Sequence, residues 1–346
     1  LQVYDHPEIY SSTLLKSANV PGKIPGVVAG VVELDPPQHQ RWRMLGMKAL
    51  STCSLAQLHP YIEQATIDLL AKIEEQGQAD FMAELAAPLP LIVMAKWLGL
   101  PLEELPLFRK WIDSLILVGG GENQEEVQRE VEACFYTVLE QRRQQPRQDL
   151  ISHLLTIEAE GQSFTRQELL YFATELLAAG TITITPFLGN AILCFHLFPK
   201  ELALLRRHPD LVRSACEEVL RYMGPARVVE QNVVDCRIAK EEGMLGGQRI
   251  RKGDILRPIA VSANHDEEHF DHAECFTIRR FPNPHLAFGH GIHFCPGVQL
   301  TRLEARIVLE QMLAHFCDWE IVHPEHLEQL DSEVLFGLKS LPMRFQ

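Results

Sequence analysis

Apolar residues recur at three- and four-residue spacing over most of this chain, the mark of helices that turn one face to a core. Leu55 to Glu75 follows the pattern and breaks at Gly77. Pro90 to Leu98 is a short, strongly apolar helix stopped by Gly99 and Pro101. Leu102 to Val118 reads as a third, with Pro106 near its start and Gly119-Gly120-Gly121 at its end. Asn123 to Arg143 is long and heavily charged, a solvated helix lying over the core. The most apolar stretch runs from Leu169 to Phe198, 30 positions whose only charge is Glu175. Thr165-Arg166-Gln167-Glu168 just ahead of it is a capping-box pattern, so a continuous helix of ~45 Å is expected there. Lys200 to Tyr222 continues the helical pattern.

The texture changes at Arg227. From there to Ala260, β-branched residues alternate with Gly243, Gly246-Gly247 and Gly253, which predicts short strands and hairpins. A Pro/Gly/His-rich loop from Phe281 to Gly297 follows, then a helix from Gln299 to Phe316 and a strand-like tail. No internal repeat or linker interrupts the pattern. The expectation is a mainly α fold with a small β region, organised as one domain over residues 1–346.

Composition narrows the function classes. Of 346 residues, 46% are hydrophobic and 23% charged, as in soluble globular proteins. A net charge of −14 argues against nucleic acid as the main partner, because phosphate binding needs a basic field. The apolar stretch at 169–198 is long enough to span a membrane, but Pro186, Asn190, His196 and four threonines favour a buried helix. Eight dispersed cysteines without a C-x-x-C pair suit a reducing cytoplasm.

One cysteine has unusual neighbours. Phe288-Gly289-His290-Gly291-Ile292-His293-Phe294-Cys295-Pro296-Gly297 places three glycines and two histidines around Cys295. The glycines allow positive φ and close backbone approach to something flat, and loop N–H groups with a helix start at Gln299 favour a thiolate. A buried cysteine in a tight turn is the bland alternative. Zinc held by His290, His293 and Cys295 is another, though it wants a fourth ligand.

The pattern F-x-x-G-x-H-x-C-x-G resembles the haem-binding loop of the cytochrome P450 family, with Phe288, His293, Cys295 and Gly297 on signature positions. The resemblance implies haem b with Cys295 as axial thiolate, a ligand that pushes electron density to the iron and favours O–O cleavage. Glu218-Val219-Leu220-Arg221 is similar to the family's E-x-x-R motif, a buried ion pair, and Phe281 to Ala287 resembles the approach to the ligand loop. Asp35 to Arg43 is similar to the D-P-P-x-H-x-x-x-R segment, so His39 and Arg43, one helical turn apart, are implied haem propionate partners, as is His293. The likeness extends through the terminal Gly337 to Pro342 and implies the soluble bacterial type, monomeric, with no membrane anchor. The chain starts at Leu1, and the family implies a further segment before it.

Two positions depart from the family. Ala179-Gly180-Thr181-Ile182-Thr183 stands against A-G-x-[D/E]-T: Thr183 matches the threonine that helps deliver protons, but the acid is replaced by Ile182, which can relay none. Ten residues after Arg221, where the family often has a propionate-binding arginine, stands Gln231, and Arg227 is a possible substitute. The resemblance implies a monooxygenase acting on a hydrophobic small molecule with dioxygen and electrons from a ferredoxin and ferredoxin reductase. Ile182 keeps open peroxide-driven oxidation, oxidative coupling, rearrangement, or haem binding without turnover. Expected pocket residues are Val28, Phe172, Leu176, Ala179, Val228 and Val229, an apolar set. Arg41, Lys48, Arg302 and Arg306 are expected to flank the thiolate side, where a basic patch would suit an acidic electron donor.

Overall fold

The predicted helices are present, and small sheets pin their ends. A computed structural model describes the chain apart from residues 14–30, 53–54, 117–123, 160–162, 227–235 and 333–334. The N-terminal part comprises α1 (Gln2–Asp5), β1 (Tyr10–Ser11), α2 (Gln38–Thr52), α3 (Leu55–Gln76), β2 (Gln78–Asp80), α4 (Pro88–Leu98), α5 (Leu105–Ile116), α6 (Gln124–Gln144) and α7 (Leu150–Ala159). Next come α8 (Arg166–Ile182), α9 (Ile184–Leu197), α10 (Pro199–Arg207) and α11 (Val212–Met223). Strands β3 (Arg237–Ala239), β4 (Gly243–Leu245), β5 (Gln248–Ile250) and β6 (Ile255–Leu256) follow, then α12 (Ala260–Ala263), α13 (Val298–His315), β7 (Trp319–Ile321) and β8 (Pro342–Phe345). The sheets are β1-β3-β6, β2-β8-β7 and the β4-β5 hairpin, all antiparallel.

The sequence reading missed α7 and a π-helical turn at Met82–Ala86, and the expected helix from Leu102 begins as a 3-10 turn before α5. At the end of α4, Gly99 adopts φ +84 with Asp149 against it, a backbone conformation that needs glycine.

The long apolar helix is two helices. The capping box is formed, with Thr165 Oγ1 accepting from the Glu168 N–H and the Glu168 carboxylate accepting from the Thr165 N–H. Fifteen positions on, the ladder breaks at Thr183. Pro186 has no N–H to give the Ile182 carbonyl. Around it, Thr181, Thr183 and Thr185 donate their hydroxyls to the carbonyls of Leu177, Ala179 and Thr181, at 2.7, 3.3 and 3.2 Å. Such back-bonding loosens a helix, and β-branching crowds it further. By length and composition 166–197 could cross a membrane, but it is a core element here: Leu169, Leu170, Ala173, Leu177, Phe187 and Leu188 are all buried.

Close approaches fix α8 among its neighbours. A Cβ on Gly180 would come 2.5 Å from the Met94 sulfur of α4. Gly46 of α2 lies under the Phe172 ring, which also stacks on Phe164 (5.2 Å between centroids) and meets Trp42 edge-on.

The deepest polar feature joins α11 to the segment that leads into the cysteine loop. Glu218 and Arg221 are fully buried and paired at 2.8–2.9 Å. Glu218 also accepts from the Thr277 N–H, Asn283 Nδ2 and Arg280 Nε. Arg221 donates to the carbonyls of Asn264, Ala273 and Cys275, and Arg280 to those of Asp271, His272 and Cys275. Removing one partner strands a buried charge, at a cost of ~3–5 kcal/mol. Glu218→Gln and Arg280→Leu should each lower the unfolding free energy by about that amount, read as a lower denaturant midpoint at unchanged slope, and midpoints equal to wild type would refute the account.

Candidate functional site

Cys295 sits at the end of a loop whose backbone is shaped by left-handed glycines. Gly289 and Gly291 have φ +72 and +71, and at Gly291 a Cβ would come 2.7 Å from the Tyr4 carbonyl oxygen. The Cys295 N–H closes the loop on the Phe288 carbonyl at 3.0 Å. Burial pushes the Cys295 thiol up, while the Gly297 and Val298 N–H groups and the Arg43 charge pull it down. Gly297 caps α13, so the helix start is aimed at the sulfur as the sequence suggested. Phe288 lies beside the loop, half-buried, its ring 6.4 Å from that of Phe294 and 5.2 Å below the Arg302 guanidinium.

Around this loop the structure gathers cationic and donor groups. His39 is buried, and neither ring nitrogen has a hydrogen-bond partner. Its ring lies 4.4 Å from that of His293. His293 Nε2 meets Ser12 Oγ at 3.0 Å, and burial with the nearby charges of His39, Arg237 and Arg43 pushes His293 down to about 3. Arg43 is desolvated, donates to the Phe294 carbonyl, and feels both Cys295 and Glu175. It therefore bridges the space between the cysteine loop and α8. The acid in this neighbourhood, Asp35, is already engaged by Ser11, Ser12 and Lys240.

Arg237 was not anticipated. It lies on β3 at 4% exposure, over the Tyr4 ring, with no carboxylate partner among the described residues. The sequence reading counted ten residues from Arg221 to Gln231; the inward register of Arg237 emerges only from the buried–half-buried–buried pattern of β3 in the fold. Gln231, Arg227, Val28, Val228 and Val229 lie outside the described residues. Arg280 was missed as well, and no local pattern marks it.

The α8 face toward this space is mixed. Ala179 is exposed, although α8 is a core helix, and Leu176, Ile182 and Thr183 are half-buried. Thr183 parks its hydroxyl on the Ala179 carbonyl. Phe172, expected in the pocket, is in the core between α8 and α2 instead, because Gly46 leaves room for its ring. Glu175 accepts a hydrogen bond from the Val31 N–H at 3.2 Å. The zinc alternative fails on geometry: His290 faces Asp5 at 2.9 Å, and among the described residues only His323, Glu325 and His326 converge as a metal could require.

What these groups fit is a ligand with carboxylates and a thiophilic metal. His39, with two orphaned buried nitrogens, and the desolvated Arg43 and Arg237 are donors waiting for anions, and Cys295 offers a soft ligand. The propionates and iron of a haem meet both demands. Leaving a buried polar group unmade costs ~1–3 kcal/mol. His39→Leu should therefore stabilise the haem-free protein by about that amount while accelerating haem loss from the loaded protein. A haem-free variant less stable than wild type would contradict this.

Comparison with known proteins agrees with the geometry. The family model described as Cytochrome P450 matches residues 206–346. A putative cytochrome P450, YjiB, of Bacillus subtilis is 34% identical over 98% of this chain and 86% of its own length. Cytochrome P450 CYP109B1 of Bacillus subtilis superposes with a TM-score of 0.86 at 34% identity, covering 99% of this chain and 90% of that one. CYP109E1 of Bacillus megaterium, solved in complex with testosterone, does so with 0.88 at 31% identity, covering 99% and 89%.

Proposed function

The chain belongs to the cytochrome P450 family of haem-thiolate monooxygenases, and on that premise we propose that Cys295 ligates the iron of its haem b and that the substrate is a hydrophobic small molecule. The observation that carries the assignment is the Cys295 sulfur, held by the Gly297 and Val298 N–H groups at the start of α13, in a loop whose His293 packs on the unpartnered His39. His39, Arg43, His293 and Arg237 are the propionate partners in this reading.

A thiolate-ligated haem supplies the centre at which dioxygen is reduced by two electrons and two protons, with one oxygen atom entering the substrate and the other leaving as water. The chain's own residues prepare that centre. The loop N–H groups and Arg43 stabilise charge on a sulfur that burial alone would keep as a thiol, and a metal cation completes its deprotonation. Thr183, where the α8–α9 ladder breaks, offers a hydroxyl that can exchange the Ala179 carbonyl for a water or a substrate group. Ile182 packs against the core and holds no proton, so proton delivery rests on Thr183 and water. Leu176 and Ala179 give the cavity an apolar wall. The relative solved with testosterone accepts an apolar ligand, which supports the same substrate class here.

Electrons reach the thiolate side through an acidic ferredoxin-type donor in this proposal. A groove between α3, α11 and α13 is lined by His59, Arg213, Glu217, Arg302, Leu303 and Arg306. Arg302 is braced by Glu217 at 2.6–2.7 Å and by the Phe288 ring, so it presents a fixed charge near the cysteine loop. Arg41 is not part of this surface, being committed to Glu168. The seven described cysteines are free thiols, in keeping with a cytoplasmic setting.

The haem-loaded protein, reduced under carbon monoxide, should show the red-shifted band of a thiolate complex, and Cys295→Ser should abolish it. Absence of the band in the wild type, or an unchanged band in the variant, would end the assignment. Reversing the groove charge with Arg213→Glu and Arg306→Glu should slow reduction by a ferredoxin at low salt by tenfold or more, with the difference shrinking as salt rises. Peroxide-driven turnover equal in both variants would leave the haem site intact. Ile182 favours a second reading in which peroxide alone sustains product formation, and equal rates with and without a donor would select it.

A further inference from the structure

We propose that Glu175 is a specificity-determining residue that selects substrates carrying a cationic nitrogen on an apolar skeleton. The inference deepens the haem-thiolate reading and rests on it.

Three observations converge on this carboxylate. Glu175 is the only charge between Leu169 and Phe198, in a helix whose other faces are buried in the core. It lies one turn before the exposed Ala179 and two before Thr183, on the one face of this core helix that is left partly open. Arg43, the residue reaching into that space, feels both Glu175 and Cys295. The carboxylate thus stands on that open face, about 12 Å along the helix from Thr183. That is too far to hand a proton to the threonine directly, and close enough to hold the remote end of a substrate whose other end approaches it.

The charge balance around it favours a cation. Glu33 and Arg43 are the charged groups whose fields reach Glu175 among the described residues, and burial outweighs them to push the carboxyl up to about 7. Once Arg43 is committed to a propionate, its field no longer offsets the Glu175 charge. A positively charged ligand then restores neutrality in a low-dielectric site, where the attraction is strongest. The remaining wall, Leu176 and Ala179, is apolar and takes the hydrocarbon.

Glu175 also accepts the Val31 N–H, so a purely structural tie between α8 and the turn before α2 must be separated from recognition. Glu175→Gln does this, because its amide oxygen still accepts that hydrogen bond while the charge is gone. Haem-loaded protein already showing the thiolate–carbon monoxide band is titrated calorimetrically with octyltrimethylammonium, octan-1-ol and octanoate. The quaternary nitrogen has no lone pair for iron, so its binding reports the pocket alone. Wild type should prefer the cation over the alcohol at least tenfold at pH 8. The preference should fall as pH drops through 7 and the carboxyl protonates, and it should vanish in Glu175→Gln with the affinity for octan-1-ol kept.

No preference in wild type, or one that survives the substitution, overturns the proposal while leaving the haem assignment standing. Equal loss for all three ligands means that the substitution disturbs the pocket as a whole rather than charge recognition, and likewise overturns it. Unchanged ligand binding with impaired coupling of electrons to product makes Glu175 a proton source instead. Absence of the thiolate band, by contrast, removes the underlying reading before any ligand is added.

Discussion

Glu218 is a carboxylate sealed from water, and it is tolerable there only because Arg221, Arg280, Asn283 and the Thr277 N–H all donate to it. Those donors lie on two pieces of chain far apart in sequence, α11 and the segment from Thr277 to Asn283. The penalty for exposing any of them to the wrong partner locks the two pieces in one relative position. Arg221 and Arg280 extend the lock by collecting carbonyls between Asn264 and Cys275. The cysteine loop begins a few residues further on, so its placement inherits this rigidity. A ligand loop rich in glycine would otherwise have little of its own.

Upon that frame the chain builds a site that is electrostatically incomplete. Positive and donor groups from α2, β3 and the loop crowd together, while Asp35 is spent on neighbouring hydroxyls and Lys240. Folding alone leaves His39 unsatisfied, which is the condition a tightly held acidic cofactor relieves. Across the gap the α8 face is largely hydrocarbon, with Thr183 and Glu175 as its polar points. In the proposed reading, the chemistry of the metal and the choice of substrate are handled by different walls.

Much of this was legible in the sequence because it depends on spacing. The apolar periods located most helices, the glycines around Cys295 announced the loop, and the three-residue offset between Glu218 and Arg221 announced the pair. What escaped depends on three-dimensional company. Arg237 and Arg280 have no local signature; each matters through what the fold brings against it. Phe172 carries the period of a pocket residue, yet Gly46 on another helix draws it into the core. The break at Thr183 was readable in principle from Pro186 and its threonines, but the strength of the surrounding apolar run masked it.

The loop is also strapped by residues 4–12, far from it in sequence. Asp5 meets His290, the Tyr4 carbonyl presses on Gly291, and Ser12 reaches His293, contacts between residues 285 and 281 positions apart in the hydrogen-bonded pairs. A ribosome releases residues 4–12 long before it releases the loop, so these contacts close only after the loop itself has emerged. Long-range closures of this kind are slow to form. The prosthetic group is accordingly received only once the loop has met residues 4–12, which must wait, solvated, for the partner they will later clasp.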